Sequence, residues 1–445
     1  MVSRDVGKKL AYLITVLCAF CLGCASPGAK PAEISLPVQD ATLYLKTPWQ
    51  VEPAVQKALY RQFMDEYFSC WNEPEPRVGL EAMLEAFDKA KLSPGLAENL
   101  LPRSSKWYQD LADLADFGDY PNRAWRGLTL GWVEMRVFPT AKPALYNADR
   151  PGSMMFDSLQ QSLLHPGMPV FVHHISKDGA WLMVQTPIAW GWLPVNRVAR
   201  LNRTQASRWQ SGPFTAFTND NVTLKDKAGR FVFKAGIGCL LPVADGPDRV
   251  LAVRADSELR AVLVEAVFDR DFTANHPMGL SSKNLAVIVN RLLGSPYGWG
   301  GRYGNRDCSA TLQDLFRTFG LWLPRNSTDQ AATGRVFSLD GMPDNKKEAL
   351  LLEQGLPGLT LVHLPGHIML FLGRDGNEPM VFHNTWGLRV VNLLGHEGRA
   401  MLGRAVITNL RPGRELLLMP QPEGFLVNRA DSFNLLVDRG DLIAN

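Results

Sequence analysis

A glycine-rich stretch in the last third of the chain constrains the fold more than any other segment. Residues 298–310 read GWGGRYGNRDCSA, and apolar residues over 312–319 then recur at i, i+3, i+4 and i+7, which predicts a helix with one buried face. Asp307 stands where a helix N-cap belongs, so we expect Cys308 in the first turn. There the helix dipole and the unpaired N–H groups favour a thiolate. The preceding glycines permit the close approach of another backbone, such as a peptide substrate.

A nucleophilic cysteine needs a base, and downstream histidines supply the candidates. His367 follows a glycine and opens an apolar strand at 368–372, whereas His363, four residues earlier, is the alternative. The next expected strand carries His383 and Asn384. Because successive strand residues face opposite sides of a sheet, only one of these two can orient the base.

Several motifs in this part of the chain occur together and in a fixed order. Their combination resembles the NlpC/p60 family of cysteine peptidases, from Leu285 to about Ile407. One departure is Ala310, where the family usually has glycine; alanine is small and compatible with a helix. The motifs are Tyr297-Gly-Trp299-Gly-Gly301, Asp307-Cys308-Ser309, Pro324-Arg325-Asn326-Ser327, and Gly366-His367 with its apolar strand.

The resemblance implies a papain-like α+β core and assigns the catalytic roles. Cys308 would be the nucleophile, and His367 would act as base and then as acid. His383 would orient His367, since the family carries His, Asn or Gln at this point; Asn384 is the alternative. The Cys308 backbone N–H, with the Tyr297 hydroxyl, would hold the oxyanion. No metal or organic cofactor is implied.

The substrate contacts are carried over from the same resemblance. In members that cut after D-glutamate in cell-wall stem peptides, the pocket residues match Tyr297, Asp307, Ser309, Arg325 and Ser327. Asp307 can pair with the free α-ammonium of L-alanine, and Arg325 can bind a carboxylate in a fork. The expected partner is therefore a peptidoglycan peptide with a free N-terminal L-alanine.

The first 24 residues are typical of an export signal. A positive end precedes an apolar run over 10–23, which is too short to span a hydrocarbon core of about 30 Å. The run ends in CLGC, which resembles the lipobox of bacterial lipoproteins and would make Cys24 the lipidated residue. A plain cleaved signal is the alternative. By the same resemblance, Ala25 after the cysteine favours the outer membrane, and hence a periplasmic, lipid-anchored protein.

Residue patterns divide the region between the signal and the catalytic domain. Residues 25–49 form a polar tether, and 50–128 are mostly helical, similar to the N-terminal stabilising segment of some family members. Residues 129–200 alternate short strands with turns and resemble a bacterial SH3-like barrel. Residues 201–272 repeat this pattern and are interpreted as a second, more diverged SH3-like barrel.

The catalytic domain is expected over 281–410, with helices first and an antiparallel sheet after them. The tail, 411–445, is expected to pack on the surface of another domain. In such multi-domain enzymes the first barrel abuts the groove, so Asp157, Trp190 or Trp192 can contribute to it. An ordinary barrel core explains both tryptophans equally well.

Composition narrows the function classes. The chain has 445 residues and a net charge of +3 without a basic run, which gives no reason to expect a nucleic-acid partner. Few of the six cysteines remain after the signal, too few for a disulfide framework; a Cys70–Cys239 pair stays open. We expect a monomer, attached to the membrane only through its lipid.

The sequence therefore predicts a multi-domain cell-wall cysteine endopeptidase. It would hydrolyse the γ-D-glutamyl–L-diamino acid bond of peptidoglycan stem peptides through a thioester at Cys308. An N-acetylmuramoyl-L-alanine amidase using the same machinery is one alternative. A non-enzymatic wall-binding lipoprotein, in which the SH3-like barrels do the binding, is the other.

Overall fold

The fold is taken from a computed structural model of the chain. The expected signal and its Cys24 lie outside the residues that the structure describes. None of the described helices is both long and apolar enough to cross a lipid bilayer. The described residues are 34–73, 75–77, 79–146, 153–246, 248–391, 397–415 and 424–443.

The N-terminal segment is helical, as expected, and its helices pack on both barrels. The first helix begins after Glu52, whose side chain accepts a hydrogen bond from the Val55 N–H. Its buried face, with Phe63 and Tyr67, joins the core of the second barrel. The later helices bury Phe87 in a core shared with the first barrel. The elements are β1 (Gln50–Val51), α1 (Pro53–Tyr67), α2 (Ser69–Asn72), α3 (Leu80–Leu92) and α4 (Ser105–Ala115).

The first barrel is one antiparallel sheet in the order β4-β3-β7-β6-β5-β2-β8. The turn at Lys177-Asp178-Gly179 joins two of its strands, and Gly179 takes the positive φ of 73° that this turn requires. The strands are β2 (Trp125–Thr129), β3 (Val133–Arg136), β4 (Gln160–Leu164), β5 (Pro169–Ile175), β6 (Trp181–Gln185), β7 (Trp190–Pro194) and β8 (Val198–Arg200).

The second barrel consists of two small sheets, ordered β11-β10-β14-β13 and β12-β9-β15. Cys239 lies in its core with Cys70 of the helical segment, and both are free thiols, so the open disulfide pairing is not formed. The elements are α5 (Arg203–Gln210), β9 (Phe214–Phe217), β10 (Val222–Asp226), β11 (Phe231–Ala235), β12 (Leu240–Pro242), β13 (Arg249–Ala255), β14 (Ala261–Val267) and β15 (Thr273–His276).

The C-terminal domain packs its helices on an antiparallel sheet, which agrees with the expected α+β class. Its elements are α6 (Ser282–Leu292), a 3-10 segment (Trp299–Gly304), α7 (Cys308–Arg317), α8 (Ser327–Ala331), β16 (Arg335–Ser338), α9 (Asp344–Gln354), β17 (Thr360–Leu364), β18 (His367–Asp375), β19 (Glu378–Val391), β20 (Glu397–Asn409), α10 (Leu426–Arg429), β21 (Ser432–Leu435) and β22 (Leu442–Ile443).

The expectation that the tail packs on another domain is wrong. The sheet runs β16-β21-β17-β18-β19-β20, so β21 of the tail lies between two strands of the catalytic domain. Phe433 of β21 is fully buried in that domain's core. Without the tail, β17 would present an open edge and part of the core would be uncovered. Farther along the tail, β22 pairs with β1, which precedes the first helix of the N-terminal segment.

Candidate active site

The N-terminus of α7 has the geometry that its sequence predicts. Asp307 is the N-cap, with φ −86° and ψ −174°, and its side chain accepts from the Ala310 N–H at 2.9 Å. Cys308 is therefore the first residue of the helix, and it is 7% exposed.

Burial opposes the thiolate that the sequence predicts for Cys308. Burial, reinforced by the Asp307 carboxylate, raises the pKa of the thiol to about 12. Hydrogen bonds from the backbone N–H groups of Ile368 and Ser309, and the Arg325 charge, lower this pKa but do not outweigh burial. The Ile368 contact also places the sulfur against the start of strand β18, whose first residue is His367.

A chain of ring hydrogen bonds runs away from that strand. His367 Nε2 lies 2.8 Å from His383 Nδ1. His383 Nε2 lies 3.0 Å from the Thr408 hydroxyl oxygen. Burial lowers the pKa of His367 well below its usual value, and lowers the pKa of His383 to about 3. Both rings are thus neutral near pH 7, and His367 keeps Nδ1 outside this chain.

The structure also distinguishes between the alternatives that the sequence left open, His383 or Asn384 and His367 or His363. Asn384 faces away from the histidines and donates to the Arg306 carbonyl at 3.0 Å, so the hydrogen bond to His367 comes from His383. His363 is paired instead with Asp431, with Nδ1 2.8 Å from the carboxylate. His363 lies on β17, and its hydrogen bond is made to another residue of the same domain.

The Arg325 guanidinium is engaged within the chain, so the expected fork for a carboxylate is not preformed. The guanidinium contacts both oxygens of Asp307, at 3.2 and 2.7 Å, and donates to the Ser309 hydroxyl at 2.9 Å. Its Nε donates to the hydroxyl of Ser162, in the first barrel, at 2.8 Å. Arg325 therefore holds Asp307 and Ser309 in place. Nothing in the sequence singles out Ser162, because the contact depends on how two domains meet.

The Asp307 carboxylate is also fully used within the chain. Besides Arg325, one oxygen accepts from Ala310 N–H and the Ser309 hydroxyl, and the other accepts from Gly300 N–H at 3.1 Å. A carboxylate offers about four lone-pair sites. A substrate ammonium would have to replace one of these donors, so the expected pairing is not preformed.

The two remaining predicted contacts, Tyr297 and Ser327, differ in burial and in their surroundings. Tyr297 is 8% exposed. Burial, the Cys308 thiol and Asp307 all raise its pKa, so the phenol stays protonated beside both groups. Ser327 is half-buried at the first residue of α8, and no hydrogen bond joins its hydroxyl to another described residue.

The glycine-rich loop permits the close approach of another backbone, as expected, and that backbone is a strand of the first barrel. Gly301 has φ +88°, and a Cβ there would lie 2.2 Å from Leu163. Gly300 has φ +58°, and its carbonyl accepts from Gln160 Nε2 at 3.0 Å. Trp299 Nε1 donates to the Asp157 carbonyl at 3.1 Å. Strand β4 thus seals one side of the loop.

The first-barrel residues that were considered as groove residues, Asp157, Trp190 and Trp192, make their side-chain contacts within the barrel and its shared core. Trp192 is fully buried in the core, and Trp190 packs against the same cluster. The Asp157 carboxylate forms an ion pair with Arg136 at 2.8 Å. Ser162 is the barrel residue that contacts the expected pocket, through Arg325.

A buried ion cluster fixes the back of α7 to both barrels. Asp314 accepts from Arg306 at 2.6 Å and from Arg317 at 3.0 Å, and it lies 2.8 Å from His165 of the first barrel. Arg306 also binds Asp220 of the second barrel at 2.7 and 2.8 Å. The helix that carries Cys308 is therefore held by all three domains.

Comparison with family models agrees with the domain order seen here. Residues 294–393 match the NlpC/P60 family. The other matches are the N-terminal NLPC_P60 stabilising domain at 10–120, an SH3 domain of SH3b1 type at 143–194, and an SH3 domain of SH3b2 type at 202–245. The two SH3-like barrels and the stabilising segment were thus interpreted correctly.

The known proteins that are similar to this chain include a curated peptidase and a solved endopeptidase structure. A γ-D-glutamyl-L-lysine dipeptidyl-peptidase of Bacillus subtilis (strain 168) is 37% identical over 82 residues, which are 18% of this chain and 26% of that protein. The matched part of the chain thus spans about a quarter of that relative's length. The solved structure of an NlpC/P60 endopeptidase from Photobacterium damselae subsp. piscicida is 25% identical, covers 91% of this chain and 99% of its own, and has a TM-score of 0.79. The chain belongs to the NlpC/P60 family of cysteine peptidases, with the N-terminal stabilising domain and two SH3b domains.

Proposed function

We propose that this protein is a cell-wall cysteine endopeptidase that hydrolyses the γ-D-glutamyl–L-diamino acid bond of peptidoglycan stem peptides. The observation that carries the proposal is the position of Cys308. Its sulfur, at the start of α7, accepts a hydrogen bond from the residue after His367, and His367 is in turn hydrogen-bonded to His383. A papain-like pairing of helix and strand explains this arrangement.

In the proposed mechanism the thiol loses its proton only when it attacks. His367 Nδ1, the ring nitrogen not bonded to His383, takes the proton as the sulfur adds to the D-glutamyl carbonyl carbon. The Cys308 N–H and the protonated Tyr297 hydroxyl donate to the oxyanion. His367 then returns the proton to the amine of the departing diamino acid, and a thioester remains. Water, deprotonated by the same ring, hydrolyses the thioester and restores the thiol.

The closed end of the pocket supports a short peptide as substrate. Asp307, Ser309 and Arg325 are joined there to Ser162 of the first barrel, and Gly301 is packed against Leu163. A glycan chain attached to the L-alanine would collide with these first-barrel residues. We therefore propose, as substrate, a peptide that has been released from the glycan and has a free N-terminal L-alanine. Its ammonium would bind Asp307 in place of the Gly300 N–H, and Ser327 would be a more distant contact.

Location follows from the family and the N-terminal sequence. NlpC/P60 proteins act on the cell wall, which supports action outside the cytoplasm. We propose a periplasmic monomer attached through a lipid on Cys24, in the outer membrane. Labelling of cells with a radioactive fatty acid tests this: Cys24→Ser should abolish incorporation and release the protein in soluble form. Equal labelling of the variant would exclude the anchor.

The activity is tested with L-Ala-γ-D-Glu-diaminopimelate and purified protein. Mass spectrometry should show L-Ala-D-Glu and free diaminopimelate, together with an enzyme species heavier by the dipeptidyl group when the reaction is quenched early. Cys308→Ala should be inactive, whereas Cys239→Ala, which removes a buried thiol of the second barrel, should retain activity. No cleavage by the wild type, or equal cleavage by Cys308→Ala, would overturn the proposal. Release of L-alanine from the lactyl group of muropeptides would identify the amidase instead.

A further inference from the structure

The histidine chain ends on a residue that neither the motifs nor the comparisons assign. Thr408 lies on β20, is 1% exposed, and pairs in register with Val381 of β19. His383 pairs with Val406, so Thr408 is its diagonal neighbour on the same face of the sheet. The Thr408 hydroxyl oxygen lies 3.0 Å from His383 Nε2.

Two neutral rings in series can arrange their protons in only two ways. A single proton lies between His367 Nε2 and His383 Nδ1, which are 2.8 Å apart. If His367 donates it, His383 carries its own proton on Nε2 and donates to Thr408, while His367 Nδ1 keeps a lone pair for the thiol. If His383 donates it, Thr408 must donate to His383 Nε2, and His367 then carries its proton on Nδ1 and cannot act as a base.

The role proposed for His367 favours the first arrangement, because a base needs a free lone pair on Nδ1. Burial raises the pKa of Cys308, which agrees with this arrangement because a thiol can donate to that lone pair. With the Cys308 thiol as the donor to His367 Nδ1, the hydrogen bonds would all run in one direction, through both rings to the Thr408 oxygen. A carboxylate occupies the equivalent place in the Ser-His-Asp triad, where it fixes the tautomer and stabilises the imidazolium. Here a neutral histidine and a hydroxyl oxygen share that task.

We propose that Thr408 is a fourth member of the catalytic chain, a positioning residue that accepts a hydrogen bond from His383 Nε2–H and thereby holds His367 in the basic tautomer. The proposal rests on the proposed function of His367 as the base. It also predicts that the charge formed on His367 during attack is shared with His383, whose Nε2–H is already bonded to the threonine oxygen.

Three variants test the proposal with the full-length protein and L-Ala-γ-D-Glu-diaminopimelate. Thr408→Val keeps the shape and removes the oxygen; it should lower kcat by roughly tenfold to a hundredfold with little change in KM, since a buried donor loses its acceptor. Thr408→Ser restores the oxygen and should recover kcat to within about threefold. Thr223→Val, an exposed strand threonine in the second barrel, should behave as the wild type. A kcat for Thr408→Val within twofold of the wild type, at unchanged thermal stability, would overturn the proposal.

A measurement without substrate separates this proposal from the proposed function. In ¹⁵N-histidine-labelled protein, the wild type should show His383 protonated on Nε2 and His367 with an unprotonated Nδ1. Thr408→Val should move the His383 proton to Nδ1, and Thr408→Ser should not. Wild-type spectra with His383 protonated on Nδ1 would refute the role of Thr408, whatever the enzyme cleaves. Correct tautomers with no cleavage of any peptide would refute the proposed function alone.

Discussion

The protonation state of Cys308 gives the sharpest quantitative prediction. A thiol with a pKa of about 12 is ionised to about one part in forty thousand at pH 7.4. A free cysteine, with a pKa near 8.5, is about 7% ionised at the same pH, roughly three thousand times more. The higher pKa makes the thiolate itself more nucleophilic, which recovers about 25-fold to 55-fold. We therefore expect Cys308 to react with iodoacetamide roughly a hundredfold more slowly than free cysteine at pH 7.4.

The assay is alkylation of the free protein from pH 6 to pH 10, read by mass spectrometry of the peptide that contains Cys308. The logarithm of the rate should rise with a slope near one across the whole range. Cys70 and Cys239 are fully buried, with pKa values raised still further by burial, so they serve as slower internal references. His367→Ala should leave the alkylation line within about threefold of the wild type.

The opposite result would show that the reasoning is wrong. A thiolate–imidazolium pair would produce a plateau below pH 8, at a rate equal to or above that of free cysteine, and His367→Ala would abolish it. In that case the interactions that lower the pKa of Cys308, from Ile368 N–H and Arg325, would outweigh burial, and attack would need no proton transfer.

Three further predictions concern the surroundings of the sulfur. Ser162→Ala leaves Arg325 Nε without its acceptor, so it should lower the free energy of unfolding by about 1–3 kcal/mol and raise KM. Urea denaturation and steady-state kinetics measure the two effects. An unchanged KM would show that the contact between Ser162 and Arg325 does not affect substrate binding. Burial, His383 and then the Arg429 charge lower the pKa of His367, so Arg429→Gln should raise that pKa and move the acid limb of kcat/KM to higher pH; a shift to lower pH would contradict this. Gly301→Ala would place a Cβ 2.2 Å from the first barrel and should lower Tm by several degrees, whereas Gly304→Ala, at a positive φ but in open space, should cost less.

Local sequence patterns predicted the parts of the site that local chemistry determines. Asp307 caps α7 through a hydrogen bond three residues along the chain, and strands such as β6 follow from short apolar runs bounded by turn residues. The preference for His383 over Asn384 came from the family, and the structure gives the same answer because only one of two successive strand residues can face His367.

The features that the sequence could not predict depend on contacts between distant segments. Ser162 reaches Arg325 across a separation of 163 residues, and Thr408 reaches His383 only through the pairing of β19 with β20. The tail strand β21 was misplaced for the same reason, since its partner edges lie in another part of the domain. Burial is equally non-local: the helix N-terminus favours a thiolate, whereas burial in the folded chain raises the pKa of Cys308.

A buried thiol and two uncharged imidazoles suit a hydrolase that must stay inert until its substrate arrives. An exposed thiolate would react with any electrophile or oxidant, whereas the Cys308 thiol is 7% exposed and has a raised pKa. Deprotonation of the sulfur becomes favourable only when its proton can move to His367 and its electron pair can form a bond to a carbonyl carbon. The arrangement of His367, His383 and Thr408 then matters more than the ground-state charge, because it decides whether a lone pair faces the thiol at that moment. Catalysis by this site should therefore depend on proton position, which makes the tautomer measurement more informative than any static distance.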